Sequence, residues 1–424
     1  MNFSVTTLFI FVFSLSSKAF NPAIYQLNYF ETQGNAISVR SLTRTQLPHI
    51  EIPAHLVQIN AAHSRMKTDL LEQLFFEKEG VAYIRWIINP EDKKYYHQVV
   101  RYLKEQGYSA DLHYHFEGFQ SASRSYFAEV PKTPVRFSTK TSTDSTGGSW
   151  QDKRLSVAEA NDARLFADYV HEQNQIQPFK NFSIQDEPLA FMIPSLNQGM
   201  IVRLFGGFEK NDNKKIYLPG FAALHESVGR EIALRNGSSD PFEFWNEHYI
   251  QPVGRALGEM AGRLGTQYDS KHSQQFLIEL DENYKPTGQI VLRDLSDFEI
   301  YRPIAEALIG KDHPLFTQLK QKNNISDNLV IGFAPLKGNI PPSWMKDSKT
   351  WEESFFSAAR QAFASELGIP NSKFLEMKTE TIVGGRLFEI QLKNLLAHKE
   401  LDAYFARLKQ MRFKKSNKCS VQFM

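Results

Sequence analysis

The sequence predicts an α+β protein, and three observations carry that class. Strand and helix patterns alternate through residues 66–205, a long amphipathic helix near the middle runs into a strand–turn–strand, and helical periods dominate after Pro303. With 424 residues, 42% of them hydrophobic and 23% charged, the chain can build two or three domains around a substantial core. Its 49 basic residues nearly balance 47 acidic ones, so no nucleic-acid partner is expected. The expected divisions are a signal peptide over 1–19, an N-terminal α+β domain over 20–130, a central core over 131–302 and a mostly helical region over 303–424.

Each element has its own warrant. Residues 7–15 (TLFIFVFSL) are apolar over signal-peptide length and too short to span a bilayer, and Ser17-Lys18-Ala19 follows as a small-x-small cleavage site. The reading is therefore export to a periplasm or the exterior, with no integral membrane segment after cleavage; a buried N-terminal strand is the alternative. Residues 66–76 read as a helix and 81–87 (VAYIRWI) as a strand. A helix over 90–106 follows, opened by Asn89 and closed by Gly107, and then an alternating strand over 110–116. Beyond Pro134 come a strand over 135–140, a small-residue loop with Gly147-Gly148, a helix over 157–172 and a strand over 200–205 carrying Arg203. The helix over 241–264 places Phe244, Trp245, Tyr249, Val253, Leu257, Met260 and Leu264 near a 3.6 period and stops at Gly265. Strands over 276–280 and 290–292 flank a turn. Helices over 299–308, 351–367 and 387–411 complete the expectation, the first with Asp297 as its N-cap.

The hairpin is the most informative stretch. It sets His272, Gln274 and Gln275 at the start of one strand beside Arg293 and Asp294 at the end of the other. Nucleotide phosphates and a magnesium ion need this kind of convergence of donors around a carboxylate. An ordinary surface hairpin with polar ends is the plain alternative. Asp111, His113, His115 and Glu117 alternate on one strand and share a face, a pattern open to zinc, to an anionic substrate or to simple solvation. His63 and Lys67 lie one turn apart if their segment is helical. Cys419 is the lone cysteine, and the chain has no G-x-S-x-G, no H-E-x-x-H and no P-loop motif.

A long helix, a polar loop with a histidine, two strands and an acid occur in this order in protein-kinase-like folds. Kinases place a catalytic Asp two residues after the His, where this chain has Gln274, and an amide cannot accept a proton from an attacking hydroxyl. The chain more closely resembles the siderophore synthetases of the aerobactin-synthetase type. Their His-x-Gln-Asn and Arg-Asp motifs align with His272-Ser273-Gln274-Gln275 and Arg293-Asp294. Their His-Pro-x-x-Lys element matches His63 and Lys67 in spacing, with Ser64 where the family has Pro, and their Ser/Thr-rich strand resembles Ser138-Thr139-Lys140-Thr141-Ser142-Thr143. Gln275 stands where the family has Asn, and Ser270 where it usually has Glu.

The resemblance implies a kinase-like ATP-binding palm with an antiparallel sheet, and a synthetase that adenylates a carboxylic acid and passes it to an amine or hydroxyl. It further implies that Lys140, Arg203, His272 and Arg293 supply positive charge and donors to the phosphates. Ser138, Thr141, Gln274 and Gln275 would contact ATP, and Asp294 would hold Mg²⁺, with Asp297 as an assisting acid. His63, Lys67, His113 and His115 would contact a small-molecule carboxylate. Two alternatives stay open: an exported kinase-like transferase that modifies a protein, and a binding protein that keeps the fold without turnover.

Overall fold

The computed structural model describes residues 44–121, 124–145, 152–204, 215–321, 324–337, 340–369, 375–382, 385–392 and 395–421. The expected signal peptide and the Gly147-Gly148 pair lie outside them, as does Gly206-Gly207, which the sequence reads as a turn after the Arg203 strand.

A nine-stranded sheet with every neighbouring pair antiparallel organises the first half of the chain. From edge to edge it runs Gln58–Ala61, Asp186–Ile193, Gln198–Leu204, Arg136–Lys140, Ser125–Glu129, Leu112–Gln120, Thr45–Pro53, Val81–Ile87 and Phe75–Lys78. The expected strand over 81–87 is observed with those bounds. Helix Lys94–Glu105 follows it, and the next strand, Leu112–Gln120, does not pair with it. Thr45–Pro53 lies between them and pairs with both. The expected helix over 66–76 shrinks to Thr68–Leu74, because Phe75 turns into the edge strand.

Helix Val157–Ile176 packs on the Asp186–Ile193 strand. A reciprocal capping box starts it: Ser156 Oγ accepts from the Glu159 amide at 3.1 Å, and the Glu159 carboxylate accepts from the Ser156 amide at 2.9 Å. Gly199 runs so close beneath that a Cβ there would lie 2.6 Å from Ala160 Cβ.

The second half is built on the predicted long helix. It is continuous but not uniform: Pro241–Trp245, one π-helical turn over Asn246–Ile250, then Gln251–Leu264. Pro252 has no N–H to donate, and the wide turn just before it accommodates that gap. Gly265, in the left-handed region at φ 61°, ends the helix as predicted. The hairpin Phe276–Leu280 and Pro286–Leu292 forms the centre of a second, four-stranded sheet, flanked by Ile216–Pro219 and, in parallel, by Phe182–Ile184. Phe127, Tyr217, Leu277 and Val291 form one buried cluster that joins the two sheets.

The C-terminal expectation needs correction. Ser348–Leu367 is helical as predicted, but residues 387–392 belong to strand Gly385–Leu392, which pairs with Leu329–Phe333 and Leu375–Ile382. Leu387, Phe388, Ile390 and Leu392 make an apolar run too short to separate strand from helix by period alone. The last helix is Asp402–Val421. No helix among the described residues is long and apolar enough to cross a membrane.

Candidate active site

Adjacent strands bring Ser138 and Arg203 into register, and Lys140, two residues on from Ser138, shares its face. The hairpin of the second sheet approaches this face with its open end. There the Arg293 amide donates to the Gln275 carbonyl at 3.2 Å, and Arg293 Nε donates to the Gln274 carbonyl at 2.6 Å. Tyr268 fixes the same corner by donating its hydroxyl to the Arg293 carbonyl at 2.7 Å. The His272 loop is pinned from the C-terminal region, where the Ala334 amide donates to the Lys271 carbonyl at 2.7 Å and Lys271 Nζ meets Glu389 at 2.8 Å.

Between the two sheets lies a polar cleft of about 180 Å³. Nine of the predicted residues line it: Ser138, Lys140, Arg203, His272, Gln274, Gln275, Arg293, Asp294 and Asp297. Ser121, Arg124, Lys153 and Gln185, which the sequence reading did not single out, line it too.

Asp294 is the electrostatic centre. Its carboxylate pairs with Lys140 Nζ at 2.7 Å and with the Arg203 guanidinium. Burial pushes its pKa up, but Lys140, Arg203 and Arg293 outweigh that and hold it well below the usual carboxylate range. Its backbone sits in the left-handed region at φ 57° and ψ 61°, which an aspartate tolerates better than most residues. Arg203 is 3% exposed and is also held by Glu187, whose carboxylate accepts from its Nε at 2.7 Å. Glu187 was missed because the acidic start of the strand, Asp186-Glu187, gives no motif; only its alternation with Leu189 and Phe191 hinted at a special partner.

Two assignments change on the geometry. His272 is not a cation near neutral pH, because burial, with Lys337 and Arg293 nearby, lowers its pKa to about 4. It can still offer a hydrogen bond. Asp297 does not cap a helix over 299–308, since Phe298–Tyr301 is a strand and the helix begins at Arg302. Asp297 instead lines the cleft and accepts from Gln275 Nε2 at 2.6 Å. Burial, together with the anions Asp294 and Glu159, raises its pKa to about 6.

The remaining predicted residues lie elsewhere. Thr141 lines a separate small cavity with Asp92, Tyr95 and Gln198. His63 is in a short turn over His63–Arg65, while Lys67 is extended ahead of helix Thr68–Leu74, so the two do not share a helical face. Both are exposed. Arg65, between them, is the residue with a buried role, meeting Asp168 at 2.6 Å and Asp186 at 3.1 Å.

His113 and His115 are on the large sheet, where they surround His49 at ring separations of 5.6 and 6.2 Å. No cluster of three or more His, Cys, Asp or Glu side chains suited to a metal occurs among the described residues. His49 is 1% exposed, and burial, Arg85 and the two neighbouring histidines depress its pKa to about 3. Glu51 lies 3.8 Å from His113, and Gln73 hydrogen-bonds His115 at 2.7 Å. A base whose folded pKa is depressed contributes full stability above its unfolded value of about 6.5 and loses it progressively as the pH falls toward 3. On lowering the pH from 7 to 5, wild type is expected to lose about 2 kcal/mol more than His49→Gln. Urea melts at both pH values check this, and equal losses refute it.

The fold assembled this way is that of the siderophore synthetases, which matches the resemblance drawn from the His272 and Arg293 motifs. The ATP-bound aerobactin synthetase IucA of a hypervirulent Klebsiella pneumoniae pathotype superposes with TM-score 0.51 at 12% identity, over 77% of this chain and 62% of that one. The petrobactin biosynthesis protein AsbB of Bacillus anthracis str. Sterne gives TM-score 0.50 at 12% identity, over 84% and 64%. The chain thus spans less than two thirds of either relative, and at this identity the likeness is one of fold. No family model and no curated protein matches the sequence.

Proposed function

We propose that the cleft binds Mg-ATP and activates a small-molecule carboxylate for transfer to an amine or hydroxyl. The observation that carries this reading is the meeting of Lys140 and Arg203, from two adjacent strands of the large sheet, with Asp294, just past the end of a strand of the second sheet, in one polar cleft. In support, the fold neighbour IucA was solved with ATP bound. On this reading residues 131–302 form a kinase-like palm.

The chemistry asks little of the protein beyond charge and position. A carboxylate oxygen of the substrate attacks the α-phosphorus, the bond to the bridging oxygen breaks, and pyrophosphate departs. The amine or hydroxyl then attacks the acyl carbon, loses its proton, and AMP leaves. The first attack needs no general base, because a carboxylate is already a nucleophile. Lys140, Arg203 and Arg293 stabilise the negative charge that develops on the phosphate oxygens. Neutral His272 offers directional hydrogen bonding without competing as a cation.

The residues present suit a magnesium ion. Asp294 and Asp297 supply carboxylates, and the buried Gln275 Oε1 has no partner. Mg²⁺ takes one or two carboxylates and completes its shell with phosphates and water, so an all-protein cluster is not required. When bound, the metal supplies charge neutralisation to the phosphates.

Saturating Mg-ATP, at about 100 times its Kd, is expected to stabilise the protein by about 2.7 kcal/mol, read as a rise in melting temperature. Pyrophosphate release should then depend on an added carboxylic acid. No thermal shift up to about 10 mM Mg-ATP would exclude the reading.

A further inference from the structure

We infer that Asp294 makes the cleft select metal-complexed polyphosphate over the free anion, because its carboxylate competes with the phosphates for the same two cations. This rests on the nucleotide reading of the site.

The competition is visible in the pairing. Lys140 and Arg203 are 6% and 3% exposed, and both are bound to the Asp294 carboxylate. Arg203 also answers Glu187, which is 1% exposed. These two cations and two carboxylates therefore sum to zero before any ligand enters. A free triphosphate must separate Asp294 from its partners and then lie beside a carboxylate of its own sign in a poorly screened cleft.

A divalent cation removes both penalties together. It gives Asp294 a new partner of opposite charge and lets Lys140 and Arg203 turn to the phosphates. A second observation points to the same ligand: the Oε1 of Gln275, a cleft residue 2% exposed, is an acceptor with no donor. Hard cations take oxygen ligands of this kind, whereas a phosphate does not.

Asp294 thereby acts as a specificity residue as well as a ligand. The familiar expectation for removing a metal ligand is uniform loss of nucleotide binding. Competition predicts the opposite sign in the absence of metal.

The test is calorimetric titration of the full-length protein with ATP and with inorganic tripolyphosphate, in EDTA and in excess Mg²⁺. Wild type is expected to bind each at least tenfold more tightly with Mg²⁺, tenfold being about 1.4 kcal/mol. Asp294→Asn is expected to bind the metal-free ligands roughly tenfold more tightly than wild type and to gain less than about threefold from Mg²⁺.

Two results overturn the inference alone: a wild-type ratio below about twofold, or a folded Asp294→Asn protein with no gain in EDTA. The wild-type ratio needs no variant, so poor folding of Asp294→Asn leaves the inference testable. Wild type that binds neither ligand in either buffer overturns the nucleotide reading too.

Discussion

Arg203→Ala is expected to remove Mg-ATP binding by at least about 100-fold and to destabilise the protein in the same step. The first effect follows from position, since Arg203 is the cleft cation that bridges the Asp294 carboxylate and an interior anchor, Glu187. Its charge is secure: burial opposes ionisation, but Asp294 and Glu187 raise its pKa further above the normal arginine range. The second effect follows from what stays behind. Removal leaves two carboxylates without their shared counter-ion, and breaking a buried pair on one side costs about 3–5 kcal/mol. A loss of binding in this variant alone would therefore be ambiguous.

Arg203→Lys separates the two effects. It keeps the charge for Glu187 and Asp294 but loses the planar fork that can serve both of them and a phosphate together. It is expected to melt close to wild type and still bind Mg-ATP at least tenfold more weakly, tenfold being about 1.4 kcal/mol. Wild-type affinity in a folded Arg203→Lys protein would remove Arg203 from the nucleotide site.

How far the sequence could be read varied with the kind of signal. Strands bounded by turn chemistry were legible: 81–87 and 276–280 were placed with their observed ends. So was the helix stop at Gly265, which requires a positive φ. Local motifs also survived folding, because His272, Gln275, Arg293 and Asp294 sit within one hairpin whose pairing brings strand ends together. Elements set by long-range pairing were not legible. Thr45–Pro53 carries Pro48, Pro53 and His49, which weaken its strand pattern, yet it is an interior strand between two neighbours whose paired residues lie 30 to 73 positions away. Arg124 reaches the cleft from a turn and answers Glu159 at 2.7 Å, a partner 35 residues on. The expected pairing of His63 with Lys67 failed for a local reason: the chain straightens between them, and spacing means nothing without the helix.

The most severe loss of stability is expected from Gly258→Val. The Gln251–Leu264 helix presents Gly254, Gly258 and Gly262, four residues apart, to the Ser348–Leu367 helix. A Cβ at Gly258 would lie 2.4 Å from the Ala359 carbonyl oxygen and 3.0 Å from Ala362 Cβ. At Gly254 the nearest atom would be the Phe355 carbonyl oxygen, at 2.8 Å. Those are backbone atoms of a helix and cannot swing aside. Any side chain must push the two helices apart and open the aromatic packing of Trp351, Phe355 and Phe363, all fully buried. Replacing glycine inside a helix would by itself help by up to about 1 kcal/mol, so the clash has to exceed that gain. Overpacking of a rigid contact costs about 1–3 kcal/mol, and a branched side chain against a carbonyl belongs at or above the upper end. Gly258→Val should therefore lose about 3 kcal/mol or more, while Ser357→Ala, on the exposed face of the partner helix, should stay within about 0.5 kcal/mol of wild type. The damage should also reach the cleft, because this helix feeds directly into Tyr268, whose hydroxyl holds the Arg293 carbonyl. Denaturant melts of both variants decide it: near-equal midpoints would mean that the two helices are not in close contact in solution.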